Sequence, residues 1–458
     1  MTAIITEKFR QHNATQFFES FSEASATVYY LMIGKSMPFT SGTSGGSDDS
    51  PPTPADDITS EFYTWDSAIA SKKISSTNIT FAIPRRDWSA TSTFDMYEHN
   101  VSSSNTTTSG ATNLFDSTFF FRTADNRVYK VLDNFGGSSA IGGSEPTSES
   151  TTPFTSGNYK IKYMYTITAS EQQAFLTSDF MPVSTDSTVA AAAVDGALDT
   201  IKIVSGGSSF STSSGSTITA IPIRGDGTGG VCSVTHTGGV ITAATVTTAG
   251  SGYTYASVLA SDIGNVSGAD IDFIISPPGG HASDAVAELG GFFVMMNVDF
   301  ATSESGEFNT SNDFRRIALL RNPTDSTTGS TATASTLDAT KSMTFSGTPG
   351  SFQADEKITQ ASTGAVGFVV DFNSTTKVLR YIQPQFTNQG VDSNGNLTAF
   401  SSTNTVTGAT SSATGTPSSH DITPELTADT GDILYIENRK PISRASDQTE
   451  NVKLIVEF

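Results

Sequence analysis

Short apolar runs separated by polar turns fill most of the chain, and this pattern predicts a protein built mainly of β-strands. Such runs favour strands over helices because they are brief, rich in β-branched and aromatic residues, and bounded by Gly, Ser, Asn or Pro. The clearest predicted strands are Val28–Ile33, Ile79–Ile83, Phe119–Phe121, Val128–Leu132 and Tyr159–Ile167. Residues 40–57 are polar and rich in Gly, Ser, Asp and Pro, so they predict a loop.

Helical periodicity is confined to a few places. Residues 7–21 carry phenylalanines near helical spacing and predict an amphipathic helix, with Thr6 positioned as its N-cap. Two further helices are predicted at Glu171–Leu176 and Ser283–Leu289, and both are short. Gly290 is placed to end the second of these as the glycine that follows a helix C-terminus.

The C-terminal segment 431–458 predicts two strands joined through polar residues. Ile433–Ile436 is an apolar run, and the proline-containing stretch Glu437–Pro441 that follows it predicts a polar corner. Asp447–Thr449 then turns the chain into a strand that alternates with period two. The apolar positions of that strand are Val452, Leu454, Val456 and Phe458. We therefore expect one face of the last strand to be buried, with the chain end docked in a sheet.

Two segments predict small β units inserted into a larger core. Residues 186–276 contain a faint internal repeat and a predicted antiparallel meander, and residues 339–418 contain a second repeat of strand, small-residue turn and strand. The core is then assembled from residues 1–185, 277–338 and 419–458. The predicted fold is mainly β: an antiparallel, β-sandwich-like core that joins the N- and C-terminal segments, with few short helices and two inserted β units.

Several stretches resemble the baseplate wedge protein family, gene product eight, of T-even-like contractile-tailed phages. The resemblance is strongest in the C-terminal segment, where Gly431–Ile442 and Ala445–Glu450 follow the family's sequence pattern. Further stretches that resemble it are Ala3–Arg10, Tyr29–Phe39 and Ile83–Trp88, and more weakly Tyr159–Ile167 and Phe314–Pro323. The two inserted units have no counterpart in this resemblance.

The resemblance implies a structural protein of the virion rather than an enzyme. It implies a homodimer within each wedge of the tail baseplate, in contact with other wedge proteins. Such a protein is expected to connect the wedge, to support baseplate assembly, and to shift when the tail contracts. Its expected location is the tail baseplate, reached after assembly in the host cytoplasm.

Charge and composition narrow the range of partners. The chain has 46 acidic and 25 basic residues, which gives a net charge of −21 at pH 7. A surface of this sign repels phosphate backbones, so direct nucleic-acid binding is not expected. The single cysteine, Cys232, excludes intrachain disulfides and multi-cysteine metal sites. The sequence has no apolar run of the ~18 residues that predict a membrane span, and Met1–Arg10 lacks the apolar region of a signal peptide.

Motifs associated with catalysis or cofactors occur in the wrong context. Gly34-Lys-Ser36 lacks the upstream glycine of a phosphate-binding loop. Gly225–Gly230 has the spacing of a dinucleotide-binding loop but precedes a predicted strand, so it predicts a hairpin turn. The histidines are far apart in sequence, and no pair of carboxylates stands out as an acid and a base. We therefore predict no enzymatic activity, cofactor, metal site or small-molecule substrate.

The cluster Ile83–Trp88 carries the most polar chemistry, because two arginines and a tryptophan follow a proline-stiffened strand. Two interpretations are open. The arginines can clamp carboxylates of a partner, or Asp87 can pair with one of them inside the chain while Trp88 is buried. Glu437–Arg439 allows the same two interpretations. The candidate residues for an interface or a structural corner are Arg85, Arg86, Asp87, Trp88, Glu437, Asn438, Arg439 and Asp447.

Three functions are therefore compared. The favoured hypothesis is a structural component of a phage tail baseplate wedge. The alternative is a peripheral tail adhesin or fibre-like host-binding module, in which the inserted Gly/Ser-rich units present the binding face. A third hypothesis, an enzyme acting on envelope sugars, requires a cleft with paired carboxylates, for which the sequence offers no candidate pair.

Overall fold

The computed structural model describes residues 4–23, 27–40, 45–137, 139–208, 216–264, 267–300, 308–310, 313–384, 390–443 and 448–458. Strands make up 41% of the structure and helices 10%, so the predicted mainly antiparallel β fold is confirmed. The chain forms two compact units. Unit 1 comprises residues 1–16, 80–295 and 455–458, and unit 2 comprises residues 17–79 and 296–454.

The helices are short. They are α1 (Glu7–Glu19), α2 (Ile58–Asp66), α3 (Ala169–Phe175), α4 (Ser187–Ala191) and α5 (Ala285–Glu288), with 3₁₀ turns at Ser76–Asn78 and Leu114–Asp116. The predicted cap of α1 is confirmed, because the backbone N–H of Phe9 donates to Thr6 Oγ1 at 3.3 Å. Phe9 is 55% exposed, so the prediction that it lies on the buried face of an amphipathic helix was wrong. None of the helices described is long and apolar enough to cross a membrane.

The strands are numbered in chain order. The first fifteen are β1 (Tyr29–Gly34), β2 (Ala68–Ile74), β3 (Ile79–Pro84), β4 (Phe120–Arg122), β5 (Arg127–Asp133), β6 (Phe154–Ser156), β7 (Tyr159–Thr166), β8 (Phe180–Val183), β9 (Leu198–Ser208), β10 (Ser216–Pro222), β11 (Arg224–Gly225), β12 (Val231–Thr237), β13 (Val240–Thr248), β14 (Ala256–Ser257) and β15 (Ser267–Ile275). The rest are β16 (Phe293–Phe300), β17 (Phe314–Arg321), β18 (Thr324–Asp325), β19 (Ser330–Thr331), β20 (Thr336–Asp338), β21 (Lys341–Phe345), β22 (Lys357–Gln360), β23 (Ala365–Asn373), β24 (Val378–Ile382), β25 (Val406–Gly408), β26 (Thr414–Gly415), β27 (Pro417–Asp421), β28 (Asp432–Ile442) and β29 (Glu450–Glu457).

Unit 2 is organised around a five-stranded sheet of order β20-β2-β1-β17-β28. Every pairing in it is antiparallel, and β17 lies between the N-terminal β1 and the C-terminal β28. All six residues of β1 are buried, as expected for a strand with apolar neighbours on both faces. A seven-stranded sheet of order β26-β25-β22-β23-β24-β21-β27 lies in the same unit and has its own core. Its strands run from Lys341 to Asp421.

Unit 1 contains a four-stranded sheet of order β4-β5-β7-β6 and the antiparallel pair β3–β8. The largest core cluster of this unit is strongly aromatic and is filled by residues from these strands and from α5. The meander predicted in residues 186–276 is present as β10-β12-β13, and β9 pairs with β15 beside a separate core. The domain boundaries that the sequence suggested nonetheless stay predictions.

The last strand is only partly buried. Val452 is 4% and Leu454 is 7% exposed, as the alternating pattern predicts. Val456 and Phe458 are of intermediate exposure, so the full burial expected for them was wrong. The chain end is nevertheless held within unit 1, since the backbone N–H of Phe458 donates to the carbonyl of Phe292 at 3.1 Å.

Candidate assembly residues

The cluster Arg85–Trp88 directly follows β3 and runs alongside β4. Its backbone is fixed by hydrogen bonds to β4: Arg122 N donates to Arg86 O at 2.7 Å, and Trp88 N donates to Arg122 O at 2.8 Å. On the other side, Arg85 N donates to Asp179 O at 2.7 Å. The corner is therefore held from both sides within unit 1.

Asp87 lies at the centre of the charges in this corner. Its Oδ1 accepts from Arg122 Nε at 2.9 Å, and its Oδ2 accepts from Arg85 Nε at the same distance. Burial alone would raise the pKa of Asp87, but the hydrogen bonds from Arg85 and Arg122 outweigh it and hold this pKa below its usual value. Arg122 extends the network to Asn126, whose Oδ1 accepts from Nη1 at 2.6 Å. The structure thus places Asp87 in an intramolecular pair, while 44% of its side chain remains exposed.

Arg86 points inward, unlike Arg85. Its guanidinium lies 4.3 Å from the centre of the Phe120 ring, and Nη2 donates to the carbonyl of Phe115 at 3.2 Å. Burial lowers the pKa of Arg86 to about 10, which still leaves it charged at neutral pH. Trp88 packs partly buried against the aromatic core. Arg85, with 26% of its side chain exposed, and Asp87 are the corner's polar groups that can reach a partner, and their interface role stays a prediction.

The second predicted corner lies within strand β28, where its pairing with β17 is irregular: Arg316 pairs with Asn438 and Phe314 with Ile442, so Arg439–Pro441 lie opposite Arg315 alone. Strand β28 forms one end of its sheet, a position that tolerates proline. The interface role of this segment stays a prediction. Asn438 accepts from Arg316 Nε at 2.8 Å and donates to Pro52 O at 2.9 Å. Arg439 pairs with Glu437 on its own strand at 3.3 Å. Asp447 lies outside the described residues.

The sequence patterns did not identify a second pair of adjacent arginines as candidate site residues. Arg315 and Arg316, on β17, are 4% and 9% exposed. Arg315 forms a bidentate pair with Asp48, with N–O distances of 2.9 and 3.0 Å, and so fixes the polar loop that precedes α2. Arg316 donates to Tyr63 O at 2.8 Å. The available signal was the same as in the first cluster: two adjacent arginines within an apolar run of an acidic chain.

Unit 1 also contains a buried ionic cluster that no sequence motif predicted. Lys130 Nζ lies 2.8 Å from Glu288 Oε2 and 3.0 Å from His281 Nδ1, and it sits 3.7 Å from the centre of the Tyr97 ring. The Lys130 side chain is fully buried and that of Glu288 is 4% exposed. Burial, followed by the neighbouring lysines, lowers the pKa of His281 well below its usual value, so this histidine is neutral. The cluster joins β5 to α5, and its four side chains are almost entirely buried.

The glycine-rich loop Gly225–Gly230 has a packing role. It runs from β11 to the start of β12 and lies against the ring of Tyr253, which is 2% exposed. A Cβ added to Gly227 would lie 2.4 Å from this ring, closer than any side chain can approach. Gly230 N donates to the Tyr253 hydroxyl at 3.1 Å. The predicted hairpin is present, because the segment lies in the connection between the antiparallel strands β10 and β12, and its glycines permit close approach of the ring.

The N- and C-terminal ends of the chain meet within unit 1. Arg10 donates to the carbonyl of Phe458 and pairs with the carboxylate of Glu457. Its guanidinium lies 3.6 Å from the centre of the Phe292 ring. Within the described ranges, no group of three or more His, Cys, Asp and Glu side chains is placed to hold a metal ion.

Comparison with known proteins assigns the two ends of the chain to one family. The family model described as bacteriophage T4 Gp8 matches residues 3–137 and 385–458. The matched residues include both predicted corners but not Tyr159–Ile167 or Phe314–Pro323, which the sequence analysis had included in the resemblance. They also include residues 385–418, which had been assigned to the second inserted unit. No curated protein matches the chain.

Proposed function

The chain belongs to the bacteriophage T4 Gp8 family, and from this premise we propose that it is a component of the baseplate wedge of a contractile phage tail. Membership of the family implies a structural role in the phage baseplate. The proposed role is to connect wedge proteins, to support assembly of the baseplate, and to move with it when the tail contracts. Its location in the virion is then the tail baseplate.

The observation that carries the proposal is the family match at both ends of the chain, together with the way those ends are held. In unit 1, Arg10 binds the last two residues. In unit 2, β1 and β28, both from matched segments, flank β17 in one sheet. A connector must transmit force between partners, and antiparallel sheets that tie distant parts of the chain together resist being pulled apart more than separate local elements do.

We also propose that the protein acts as a homodimer whose partners are other baseplate proteins. A net charge of −21 disfavours nucleic acid as a partner. Light scattering of the purified protein at micromolar concentration should give about twice the 48.0 kDa of one chain. A strictly monomeric protein across that range would contradict the dimer while leaving the location in the baseplate open.

The experiment that tests the function is localisation in the particle combined with loss of the protein. Antibody labelling of purified tails should mark the baseplate, and phage lacking the protein should accumulate tail parts without complete baseplates. The alternative, a peripheral adhesin, predicts complete tails that fail only to attach to cells. Complete, normally assembled tails in the absence of the protein would therefore overturn the wedge proposal.

A further inference from the structure

Strand β28 ends its sheet, and its two halves differ in how their outer edge is protected. Natural edge strands avoid unwanted pairing by carrying charges and proline. The second half of β28 carries Glu437, Arg439, Lys440 and Pro441. The first half begins with Asp432, which pairs with Arg321, and continues with Ile433–Ile436, four consecutive apolar residues with no charge and no proline. Of the two halves, only the first therefore presents an edge open to another strand.

A groove of about 240 Å³ lies beside this unprotected half. One wall is Ile433–Ile436, and the other is formed by Pro54–Asp57 and Glu61 at the start of α2. Leu434 is 43% exposed and Tyr435 is 36% exposed, so both side chains are open to solvent. We name this feature the edge groove.

The neighbouring face of α2 is apolar and exposed as well. Ile58 is 67% exposed and Phe62 is 53% exposed, and a spacing of four residues puts both on one face of the helix. In the part of the chain that the structure describes, no other segment covers these two side chains. Exposed apolar side chains grouped in this way mark interaction surfaces more often than isolated ones do.

The charges of the edge groove specify the chemistry of its occupant. Asp57 is engaged as the N-cap of α2, since its Oδ1 accepts from Ser60 N at 2.7 Å. Asp56 and Glu61 are exposed and form no ion pair with any described residue. Two exposed carboxylates beside an apolar edge favour a ligand that offers basic and apolar side chains together. A second copy of this chain fits poorly, because it would bring a further net charge of −21 to an acidic groove.

We propose that the edge groove binds an extended segment of another baseplate protein, which adds to β28 as a sixth strand. An added strand pairs with β28 through its backbone, and its side chains alternate between the two faces of the sheet. A segment with alternating apolar and basic residues can therefore offer apolar contacts on one face and cations to Asp56 and Glu61 on the other. The inference rests on the proposed function only for the source of the segment. The groove's own binding is a property of the isolated protein.

The test uses the full-length protein and a defined probe, a heptapeptide of alternating valine and lysine. A peptide of the same composition with its lysines grouped together controls for simple charge attraction. Fluorescence anisotropy measures affinity, and hydrogen exchange read by mass spectrometry locates the site. The alternating peptide should bind more tightly than the grouped one and should slow exchange in Ile433–Ile436.

Two matched variants separate the groove from the rest of the surface. Leu434→Lys puts a like charge on the edge and should weaken binding of the alternating peptide about tenfold or more. Ile422→Lys makes the same change in charge at a 60% exposed residue outside the groove and should leave binding unchanged. If Leu434→Lys impairs folding, the double variant Asp56→Asn/Glu61→Gln provides the same test on exposed side chains and should also weaken binding.

Equal binding by both peptides, or no slowing of exchange at Ile433–Ile436, would overturn the proposal. Self-association that Leu434→Lys abolishes would assign the edge groove to a second copy and would also overturn it. If antibody labelling places the protein in the baseplate but the peptide does not bind, only the proposal for the edge groove is refuted. If the peptide binds in the edge groove but the protein is absent from the baseplate, only the proposed function is refuted.

Discussion

Replacing Lys130 by methionine should destabilise unit 1 in a way that depends steeply on pH. Methionine has a similar length and keeps the contact with the Tyr97 ring, so the change removes mainly the cation. The Glu288 carboxylate then remains buried without its partner at 2.8 Å. Removing one member of a buried ion pair costs about 3–5 kcal/mol when the other stays charged.

The structure sets an upper limit to this cost. Burial raises the pKa of Glu288 above its ordinary value of 4.5, and Lys130 opposes that shift, so loss of Lys130 should raise this pKa further. Taking up a proton relieves the unpaired carboxylate, and this costs less at pH 5 than at pH 7 because pH 5 is closer to the ordinary pKa of the carboxyl. A raised carboxyl pKa means that stability is lost as pH rises above 4.5. The gap between wild type and variant should therefore widen from pH 5 to pH 7.

The assay is urea unfolding of both proteins at pH 5, 6 and 7. The cross-strand neighbour Lys162 provides a control, because it is also buried but donates to the carbonyl of Thr151 at 2.6 Å. Lys162→Met should leave the Glu288 carboxylate paired with Lys130. The loss of stability that this variant shows should therefore change little between pH 5 and pH 7. Adding Glu288→Leu to Lys130→Met should restore most of the stability. A loss for Lys130→Met that is the same at all three pH values would refute the reasoning.

Three further outcomes follow from the structure. Arg86→Ala should lower the free energy of unfolding by about 2–3 kcal/mol, because it removes a buried cation over an aromatic ring and a hydrogen bond, whereas Arg85→Ala should cost under about 1 kcal/mol. Gly227→Ala should cost about 1–3 kcal/mol, because its Cβ would overlap the Tyr253 ring. Deleting residues 452–458 should leave the protein insoluble, because each buried apolar side chain of that strand contributes about 1.5–3 kcal/mol.

Each of these three predictions can be checked against a control measurement or a control variant. Melting temperature and sedimentation of the two arginine variants together separate folding from assembly, and equal losses of stability would contradict the different burial of the two side chains. For the glycine loop, Thr228→Ala changes an exposed neighbour and should be nearly silent. A truncated chain that melts like the full-length protein would show that its last strand is dispensable.

Most strands could be predicted from the sequence because their signal is local. Tyr29–Gly34, Ile79–Pro84, Arg127–Asp133 and Tyr159–Thr166 all lie within a residue or two of the predicted runs. Helix α2 was missed because its β-branched and aromatic residues have modest helix propensity. What starts this helix is its cap, Asp57, which sits at the end of a stretch that composition alone marks as loop.

At the candidate sites, the sequence could not predict the neighbours that the fold provides. Proline in Glu437–Pro441 is a valid signal for a break in most strands, and here the pairing of β28 is irregular at the proline and resumes at Ile442. Only the sheet order reveals that β28 is an edge strand, which tolerates proline. The sequence suggested that Asp87 pairs with an adjacent arginine, and it does pair with Arg85. Its second partner, Arg122, comes from a strand 35 residues away, and no local pattern indicates that distance.

The sheet order also limits what the family match can mean. Strands β1 and β28 both lie in matched segments, yet neither pairs with the other: β17, from the unmatched middle of the chain, separates them. In unit 1 the matched β5 likewise pairs with the unmatched β7. The matched residues alone would therefore leave β1, β28 and β5 without these partner strands. The unmatched middle supplies core strands as well as the strands of residues 186–276, so its sequence can differ from the family pattern only where burial and pairing still hold.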